Sequence, residues 1–278
     1  MTNAEKALAL HEEWKGKFET TPKMSITTRE DLALAYTPGV AEPCKVIAKD
    51  KDAAYTYTIK SNTIAVVSDG SAVLGLGNIG AYAAMPVMEG KAVLFKSFGG
   101  VNAVPICLDT QDTEEIIKTV VNIAPAFGGI NLEDISAPRC FEIEERLKKI
   151  LDIPVFHDDQ HGTAIVVLAG IINGLKVTGK NKEDCKVVVN GAGSAGVAIT
   201  KLLLTYGFKN ITMCDKSGIL SKTSEGLNWM QKSMMDVTNL EGKTGTLADA
   251  LKGADVFVGV SAPNIVTPEM VASMNKDS

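Results

Sequence analysis

With 278 residues, of which 45% are hydrophobic and 22% charged, the chain is long enough to form two domains with sizeable apolar cores. Its formal net charge of −5 offers no basic face to a phosphate backbone, so we expect no nucleic acid partner. No stretch reaches the roughly eighteen unbroken apolar residues of a membrane helix, and the N-terminus lacks the apolar core of a signal peptide, which predicts a cytoplasmic protein without membrane contact.

The N-terminal segment is predicted to be helical. Apolar residues at helical spacing predict a first helix over residues 4–18, and Thr27 with Glu30 has the pattern of a capping box that opens a second helix. That helix must end before Pro38. Tyr36 lies at its end, where the phenol could donate a proton; the alternative is a surface or packing residue.

Strands and helices alternate up to residue 157. Short apolar runs predict strands TIAVVSD, AVLFK, AVPICLD and IPVFH, and amphipathic patterns predict helices over residues 112–127 and 140–150. Lys91 precedes AVLFK, so we expect it at the start of an apolar strand, where a partly desolvated ammonium can serve as a base. The alternative is again a surface or packing residue.

Residues 185–215 have the pattern of a dinucleotide-binding unit, with a strand, a glycine-rich turn, a helix and a second strand that ends in an acid. The glycines have distinct roles: Gly191 allows the tight turn, Gly193 lets the backbone approach a pyrophosphate, and Gly196 brings the helix close to the sheet. Ser194 and Ala195 fill the intervening positions of the turn, and the helix is expected over residues 197–206. The alternative is a βαβ unit that binds no ligand.

The acid of this unit is Asp215, nineteen residues after Gly196. Its carboxylate can accept hydrogen bonds from ribose hydroxyls and repel a 2′-phosphate, which favours NAD over NADP. Lys216 follows directly and could offset that repulsion, so NADP stays possible.

The region after this unit contains a polar segment over residues 217–243, a helix around LADALKG, the strand DVFVGV and a short helix near Pro268. The nucleotide-binding sheet then has about three parallel strands, where a full fold has about six. We expect a C-terminal part to be missing, either because the chain is truncated or because a partner chain completes the sheet.

Two acidic clusters follow short apolar segments and precede predicted helices. Glu133 and Asp134 form the first, and Asp159 belongs to the second. Both can lie at the same edge of the α/β block, and oxygen ligands suit Mg²⁺ or Mn²⁺. The alternative is helix capping, with a contribution of about 0.5 to 2 kcal/mol. His157 and His161 are interpreted as supporting or packing residues.

The five cysteines have no CxxC spacing and lie among apolar neighbours, so we expect them to be reduced, buried and non-catalytic.

The segments YTPGVAEPC, SDGSAVLGLGNIG, MPVMEGKAVLFK, INLEDI, HDDQHGTA and NGAGSAG occur in the order found in malic enzymes of the bacterial type. The resemblance covers nearly the whole chain. It implies an α/β N-terminal catalytic and metal-binding domain over residues 1–160 and a Rossmann-like parallel-sheet NAD(P)-binding domain, here incomplete, over residues 161–278. It also implies site roles: Tyr36 as general acid, Lys91 as general base supported by Asp158, and Glu133, Asp134 and Asp159 as ligands of Mg²⁺ or Mn²⁺.

The reaction implied by the resemblance is oxidative decarboxylation of L-malate to pyruvate and CO₂ with reduction of NAD or NADP, in a homodimer. Alternatives are non-oxidative malolactic or oxaloacetate decarboxylase chemistry on the same scaffold, or a catalytically silent truncated subunit. Ala72 stands where larger animal malic enzymes have an arginine that binds the substrate carboxylate, so we expect a different recognition of that group. Later asparagines of the family do not occur in the chain, so we expect it alone to bind the coenzyme weakly and turn over malate poorly.

Overall fold

The computed structural model describes all 278 residues, and the chain divides into two compact α/β units. Unit 1 comprises Met1–Ile135 and Ile143–Phe156, and unit 2 comprises Ser136–Glu142 and His157–Ser278. Each unit has a four-stranded sheet with helices around it. The α/β class predicted from the alternation of apolar runs and amphipathic segments is therefore confirmed.

The sheet of unit 1 has the strand order β2-β1-β3-β4. Strand β1 is parallel to both β2 and β3, and Ala65, Val66 and Val67 are fully buried because the strand is central, whereas Ile64 near its start is partly buried. The strands of this sheet are β1 (Thr63–Ser68), β2 (Asn102–Cys107), β3 (Gly129–Leu132) and β4 (Val155–His157).

Seven helices accompany this sheet: α1 (Asn3–Trp14), α2 (Arg29–Ala35), α3 (Ala41–Lys49), α4 (Ala54–Tyr57), α5 (Gly80–Gly99), α6 (Thr113–Ile123) and α7 (Arg139–Ile150). The capping box of α2 is formed by Thr28 and Asp31, so the predicted Thr27–Glu30 box is wrong by one position. Asp31 accepts hydrogen bonds from the backbone and hydroxyl of Thr27 and from the backbone of Thr28. These bonds lower the pKa of Asp31 to about 2.

The segment AVLFK is helical, and the strand predicted there is wrong. Helix α5 runs without interruption from Gly80 to Gly99, although it contains Pro86. Its buried side chains are spaced by three or four residues, and this helical stripe continues into the AVLFK segment: Ala81, Ala84, Met88 and Ala92. A short apolar run does not distinguish a buried strand from a helix by itself. Lys91 therefore lies in the middle of a helix.

The sheet of unit 2 has the order β7-β6-β5-β8, with β5 parallel to β6 and to β8. The three expected parallel strands are present, and a two-residue antiparallel strand joins them in the polar segment. The strands are β5 (Lys186–Asn190), β6 (Asn210–Asp215), β7 (Gly218–Ile219) and β8 (Val256–Gly259). The helices are α8 (Asp158–Thr178), α9 (Ser194–Tyr206), α10 (Trp229–Met234), α11 (Leu247–Leu251) and α12 (Pro268–Ala272).

Helix α8 has the length and composition of a membrane-spanning helix, and only 6% of its most apolar window is buried. One side of it packs against the core of unit 2 through apolar residues that include Val167, Leu168 and Ile171. Two aspartates occupy its first turn. Core helices of globular proteins often have the same length and composition, so these two properties do not assign α8 to a membrane. The cytoplasmic location stays a prediction.

All five cysteines are free thiols, as expected, but they are not uniformly buried. Cys140, Cys185 and Cys214 are buried, Cys107 is half-buried and Cys44 is exposed. Burial, followed by the charge of Asp215, raises the pKa of Cys214 to about 12. This thiol is therefore not a nucleophile at neutral pH.

Candidate functional site

The glycine-rich turn of unit 2 requires glycine at two positions for steric reasons. Gly191 has a φ of +124°, and a Cβ there would lie 2.7 Å from the carbonyl oxygen of Val260. A Cβ on Gly196 would lie 1.7 Å from the carbonyl oxygen of Gly191. The first glycine therefore allows the turn after β5, and the third allows α9 to pack closely on that turn.

Gly193 differs from these two glycines, because a Cβ at this position would meet no heavy atom within 4 Å. It is the N-cap of α9 and supplies no side-chain hydrogen bond to the helix. The helix begins at Ser194, three residues before the predicted start, so Ser194 and Ala195 lie in its first turn. Amide groups of a first turn have no partners within the helix and can bind a phosphate that approaches the open side of Gly193.

Asp215 ends β6, and its side chain is held by the residues that follow it. Its Oδ1 accepts hydrogen bonds from the backbone nitrogen of Ser217 at 2.8 Å and from the Ser217 hydroxyl at 2.6 Å. The two bonds leave Oδ2 as the acceptor available to a ribose hydroxyl. Lys216 is exposed beside it. The sequence reasoning did not identify Ser217, although a serine two residues after an aspartate is a common Asx-turn pattern.

A cleft of about 490 Å³ opens at the carboxyl ends of the strands of unit 2. Ligands of open α/β sheets bind at this edge, where the strand order reverses on either side of the first strand. Asn190 donates a hydrogen bond to the Ser261 hydroxyl at 3.0 Å across the carboxyl ends of β5 and β8. The lining of the cleft includes Asn190, Asp215, Lys216, Ser217, Thr246 and Ser261.

In unit 1, Glu133 and Asp134 directly follow β3, and both are buried, with exposed fractions of 5% and 4%. The backbone nitrogen of Glu133 donates to the carbonyl of Val67, which extends the pairing of β3 with β1. The Asp134 carbonyl accepts a hydrogen bond from Ala72, and Asp134 has a φ of +54°. The end of the strand thus holds two adjacent carboxylates away from bulk water.

Lys91 forms an ion pair with Glu133, with 2.9 Å between Nζ and Oε1. The side chains are 20% and 6% exposed, so the pair is shielded from bulk solvent. The second oxygen of Glu133 accepts a hydrogen bond from the Asn131 side chain at 2.8 Å. The proximity of Lys91 to Glu133 was not predicted from spacing, and Asn131 was not identified from the sequence at all.

Asp158 and Asp159 are the first two residues of α8, which begins directly after β4. Asp158 lies over the first turn of the helix, where a Cβ on Gly162 would be 2.2 Å from its Oδ1. Asp159 Oδ2 lies 3.5 Å from Nε2 of the fully buried His157. His157 therefore lies beside Asp159, and its supporting role stays a prediction.

Tyr36 is the C-cap residue of α2, and its side chain is 67% exposed. Its backbone nitrogen donates to the carbonyl of Leu32 at 2.9 Å, which ends the helix before the Thr37–Pro38 peptide. The end of α2 before Pro38 is thus confirmed. The role of Tyr36 as a proton donor stays a prediction.

The residues at the end of β3 fit a hard divalent cation. Two buried carboxylates side by side repel each other and lose hydration, and a divalent ion offsets both costs. Lys91 supplies only one positive charge to the pair. The donor atoms are carboxylate oxygens, which favours Mg²⁺ or Mn²⁺ over softer metals.

Two family profiles match the chain. The family described as "Malic enzyme, N-terminal domain" matches residues 15–115 and 110–148, and "Malic enzyme, NAD binding domain" matches residues 160–278. The second match, together with the loop geometry of unit 2, shows that the chain carries an NAD-binding domain of this type.

Similar proteins and structures have the same family name. An NAD-dependent malic enzyme of Geobacillus stearothermophilus is 61% identical over 264 residues, which is 94% of this chain and 55% of that protein. A bifunctional malic/malolactic enzyme of Bacillus subtilis is 56% identical over 278 residues, which is 100% of this chain and 68% of that protein. The crystal structure of an NAD-dependent malic enzyme from Thermotoga maritima superposes with a TM-score of 0.94 at 52% identity, and the match covers 96% of this chain and 72% of that one.

Other relatives are named NADP-dependent malic enzymes, and the chain spans 34% of the length of the one from Escherichia coli. This chain is therefore shorter than its relatives, with about half the length of the Geobacillus protein. Both family profiles nevertheless agree with the 61% identity over 94% of the chain, and the chain belongs to the malic enzyme family.

Proposed function

We propose that this protein catalyses the oxidative decarboxylation of L-malate to pyruvate and CO₂, with NAD as the hydride acceptor and Mg²⁺ or Mn²⁺ as the metal. The observation that carries the proposal is the shielded ion pair between Lys91 and Glu133, next to Asp134, in a chain of the malic enzyme family. The pair joins a candidate base to a candidate metal ligand.

The proposed metal ligands are Glu133, Asp134 and Asp159. Strand β4 is the neighbour of β3 in the sheet, and Asp159 follows the end of β4 by only two residues, which supports its contribution to the same ligand set. When bound, the ion would act as a Lewis acid toward the oxygen on C2 of the substrate. The ligand roles rest on this connectivity, on the burial of two of the acids and on the resemblance of INLEDI and HDDQHGTA to the family motifs.

In the proposed role of Lys91, its ammonium first loses a proton to solvent. The neutral amine then removes the proton of the C2 hydroxyl while the hydrogen on C2 leaves as hydride to the nicotinamide. The ammonium produced in this step is stabilised by Glu133 at 2.9 Å. Asp158 would support the base. The 20% exposure of the Lys91 side chain limits competition from water for its ion pair.

Decarboxylation then breaks the bond between C3 and the carboxylate, and the electron pair moves toward C2 to give the enolate of pyruvate. Tyr36 is the proposed donor of the proton that C3 receives. Its position on the rigid turn after α2 leaves the phenol accessible, since the ring is mostly exposed. The proton can be replaced from solvent after each turnover.

The proposed coenzyme preference is for NAD. The Asp215 carboxylate is fixed by Ser217, so a 2′-phosphate at this position would meet a negative charge that cannot easily rotate away. Replacing Asp215 with alanine should raise the ratio of NADP to NAD in kcat/KM, because Lys216 then lacks an opposing charge. A ratio that does not change would contradict this assignment.

The direct test is an assay of the protein with malate, Mn²⁺ and each nicotinamide coenzyme in turn. We expect a slow rate from this chain alone, with pyruvate and reduced coenzyme formed in equal amounts, and we expect the rate to disappear with a chelator. Asp159→Asn should lower the affinity for Mn²⁺ and the rate together. A malate-dependent rate that is unaffected by Asp159→Asn and by chelation would exclude the proposed site.

A second candidate function is conversion of malate to lactate, favoured by the 56% identity to the bifunctional malic/malolactic enzyme over the whole chain. In that reaction, the reduced coenzyme would return its hydride to pyruvate before release. Lactate formation without net reduction of NAD would favour this second function, whereas stoichiometric NADH would favour the first.

The protein is further proposed to form a homodimer through unit 1. Helices α1, α2 and α3 bury no residue within the chain, and they expose large apolar side chains such as Leu8, Trp14 and Leu34. A second copy that covers these faces would remove this apolar surface from water. Light scattering at micromolar concentration should give twice the mass of the chain, and a monomer would contradict the proposal.

A further inference from the structure

Asn131 is a buried amide inside the apolar sheet of unit 1. Its exposed fraction is 2%, and all four residues of β3 are buried. The side-chain nitrogen donates to Oε2 of Glu133 at 2.8 Å, while the other carboxylate oxygen of Glu133 pairs with Lys91. Asn131 and Glu133 are two residues apart, so alternation along the strand puts them on the same face of the sheet.

The chemistry of the pair fixes the orientation of the amide. An ionised carboxylate only accepts hydrogen bonds, so the nitrogen of Asn131 must face Glu133 and its oxygen must face away. That oxygen is buried and has no hydrogen-bond partner. A buried acceptor without a partner destabilises the fold, and valine or leucine would avoid this cost in a central strand. Asn131 therefore contributes to this site through its side-chain N–H group, which donates to Glu133.

We propose that Asn131 is a positioning residue for Glu133, and that its amide holds the carboxylate in the orientation that binds the divalent cation. The proposal rests on the proposed metal site. Lys91 and Asn131 each use one carboxylate oxygen, and this arrangement fixes the plane of the group from two sides. A carboxylate oxygen that accepts one hydrogen bond has a second lone pair with which it can bind a cation. Loss of Asn131 removes one of these two contacts, so the carboxylate should be less well oriented for the cation.

The effect should be measurable as metal affinity, apart from turnover. Titration with Mn²⁺, followed through the electron paramagnetic resonance signal of the free ion, gives the dissociation constant without malate or coenzyme. Asn131→Ala should weaken Mn²⁺ binding about tenfold, as is typical when a partner of a metal ligand is removed. Asn131→Gln keeps an amide donor and should recover most of the affinity, whereas a purely structural role would not depend on that donor.

Asn102→Ala is the matched control. Asn102 lies in β2 of the same sheet and accepts a hydrogen bond from Lys96 at 2.8 Å, without any bond to Glu133. Its replacement should leave the Mn²⁺ affinity unchanged. If Asn131→Ala does not fold, Asn131→Leu keeps a similar volume without the donor and should show the same weakening.

The outcomes separate this inference from the function it rests on. If the parent protein binds Mn²⁺ and Glu133→Gln weakens the binding, while Asn131→Ala and Asn131→Leu bind as the parent does, the positioning role is overturned and the metal site stands. If the parent protein binds no Mn²⁺, or if Glu133→Gln binds it as the parent does, the proposed metal site fails and the inference fails with it.

Discussion

The two regions proposed to act on the substrate and on the coenzyme are built in different ways. The nucleotide turn of unit 2 lies within one short segment, and its shape follows from glycines that a Cβ would bring into collision with backbone oxygens. The Lys91–Glu133 region of unit 1 joins the middle of helix α5 to the end of strand β3 through charge and hydrogen bonding. One region is determined by sterics and the other by electrostatics.

This difference implies that the two regions respond differently to substitution. A steric site tolerates no added atom at its tight positions, but it does not depend on the charge of neighbouring side chains. An electrostatic site tolerates changes of shape better than the loss of one partner. A buried charge that has lost its partner strongly destabilises the folded protein.

The largest effect is expected for Lys91→Met, which keeps the length of the side chain and removes its charge. Malate turnover should fall by about 100-fold or more, since a positioned base typically contributes this much. Affinity for NADH, measured by fluorescence, should stay the same because the nucleotide turn is built from backbone atoms.

Lys96→Met is the control for this change, because Lys96 lies in the same helix and pairs with Asn102. It should retain the turnover of the parent. If Lys91→Met keeps the parent rate, Lys91 is not the base.

The next largest effect is expected for the glycines of the nucleotide turn. In Gly196→Ala, the new methyl group would overlap the carbonyl of Gly191, so both the melting temperature and the affinity for NADH should fall. Overpacking of this kind costs about 1 to 3 kcal/mol. Gly193→Ala adds the same methyl group where nothing lies within 4 Å, so it should weaken coenzyme binding at an unchanged melting temperature. Equal melting temperatures for both variants would contradict the steric account.

A smaller effect is expected for Gly162→Ala in helix α8. Alanine is a better helix former by about 1 kcal/mol, so stability should be kept or increased. Its methyl group would nevertheless displace the Asp158 carboxylate, which lies 2.2 Å from the position of the new atom. We therefore expect slower malate turnover in a protein that is at least as stable. Gly174→Ala is the control, since it lies in the same helix with nothing within 4 Å and should leave turnover unchanged.

The smallest effect is expected at Asp31, which caps the helix that carries Tyr36. The pKa of Asp31 is lowered from 3.8 to about 2, mainly by the backbone hydrogen bond from Thr27. The ionised carboxylate therefore stabilises the folded protein fully above about pH 4, and this contribution disappears as the pH falls through about 2. The stability difference between the parent and Asp31→Asn, measured by urea unfolding, should be constant from neutral pH to about pH 5 and should shrink below pH 4. A difference that grows on acidification would contradict this assignment.

The family and the α/β class were predictable because they depend on local patterns. Residues 185–215 contain a complete strand, turn, helix and strand, and each glycine requirement follows from backbone geometry close in sequence. The starts of α6 and α8 also carry local signals, because acids in the first turn of a helix are favoured by the helix dipole.

The helical state of AVLFK could not be decided locally. Four consecutive apolar residues fit a strand or a buried helix equally well. The outcome depended on the buried stripe of Ala84, Met88 and Ala92, of which Met88 and Ala92 pack with residues of β1 and β2. The capping box of α2 was shifted by one position for a similar reason, since Thr27 and Thr28 are adjacent and only the folded backbone selects between them.

The amino-acid sequence by itself determined the dinucleotide-binding turn, its acid and the family, because these depend on residues that are neighbours in the chain. Only the tertiary structure decided that Lys91 pairs with Glu133 and that Asn131 holds the other oxygen of that carboxylate. A helix and a strand from distant parts of the sequence must pack before these groups meet. Electrostatic partners of this kind carry no local pattern, because their attraction depends on distance in space and on exclusion of water.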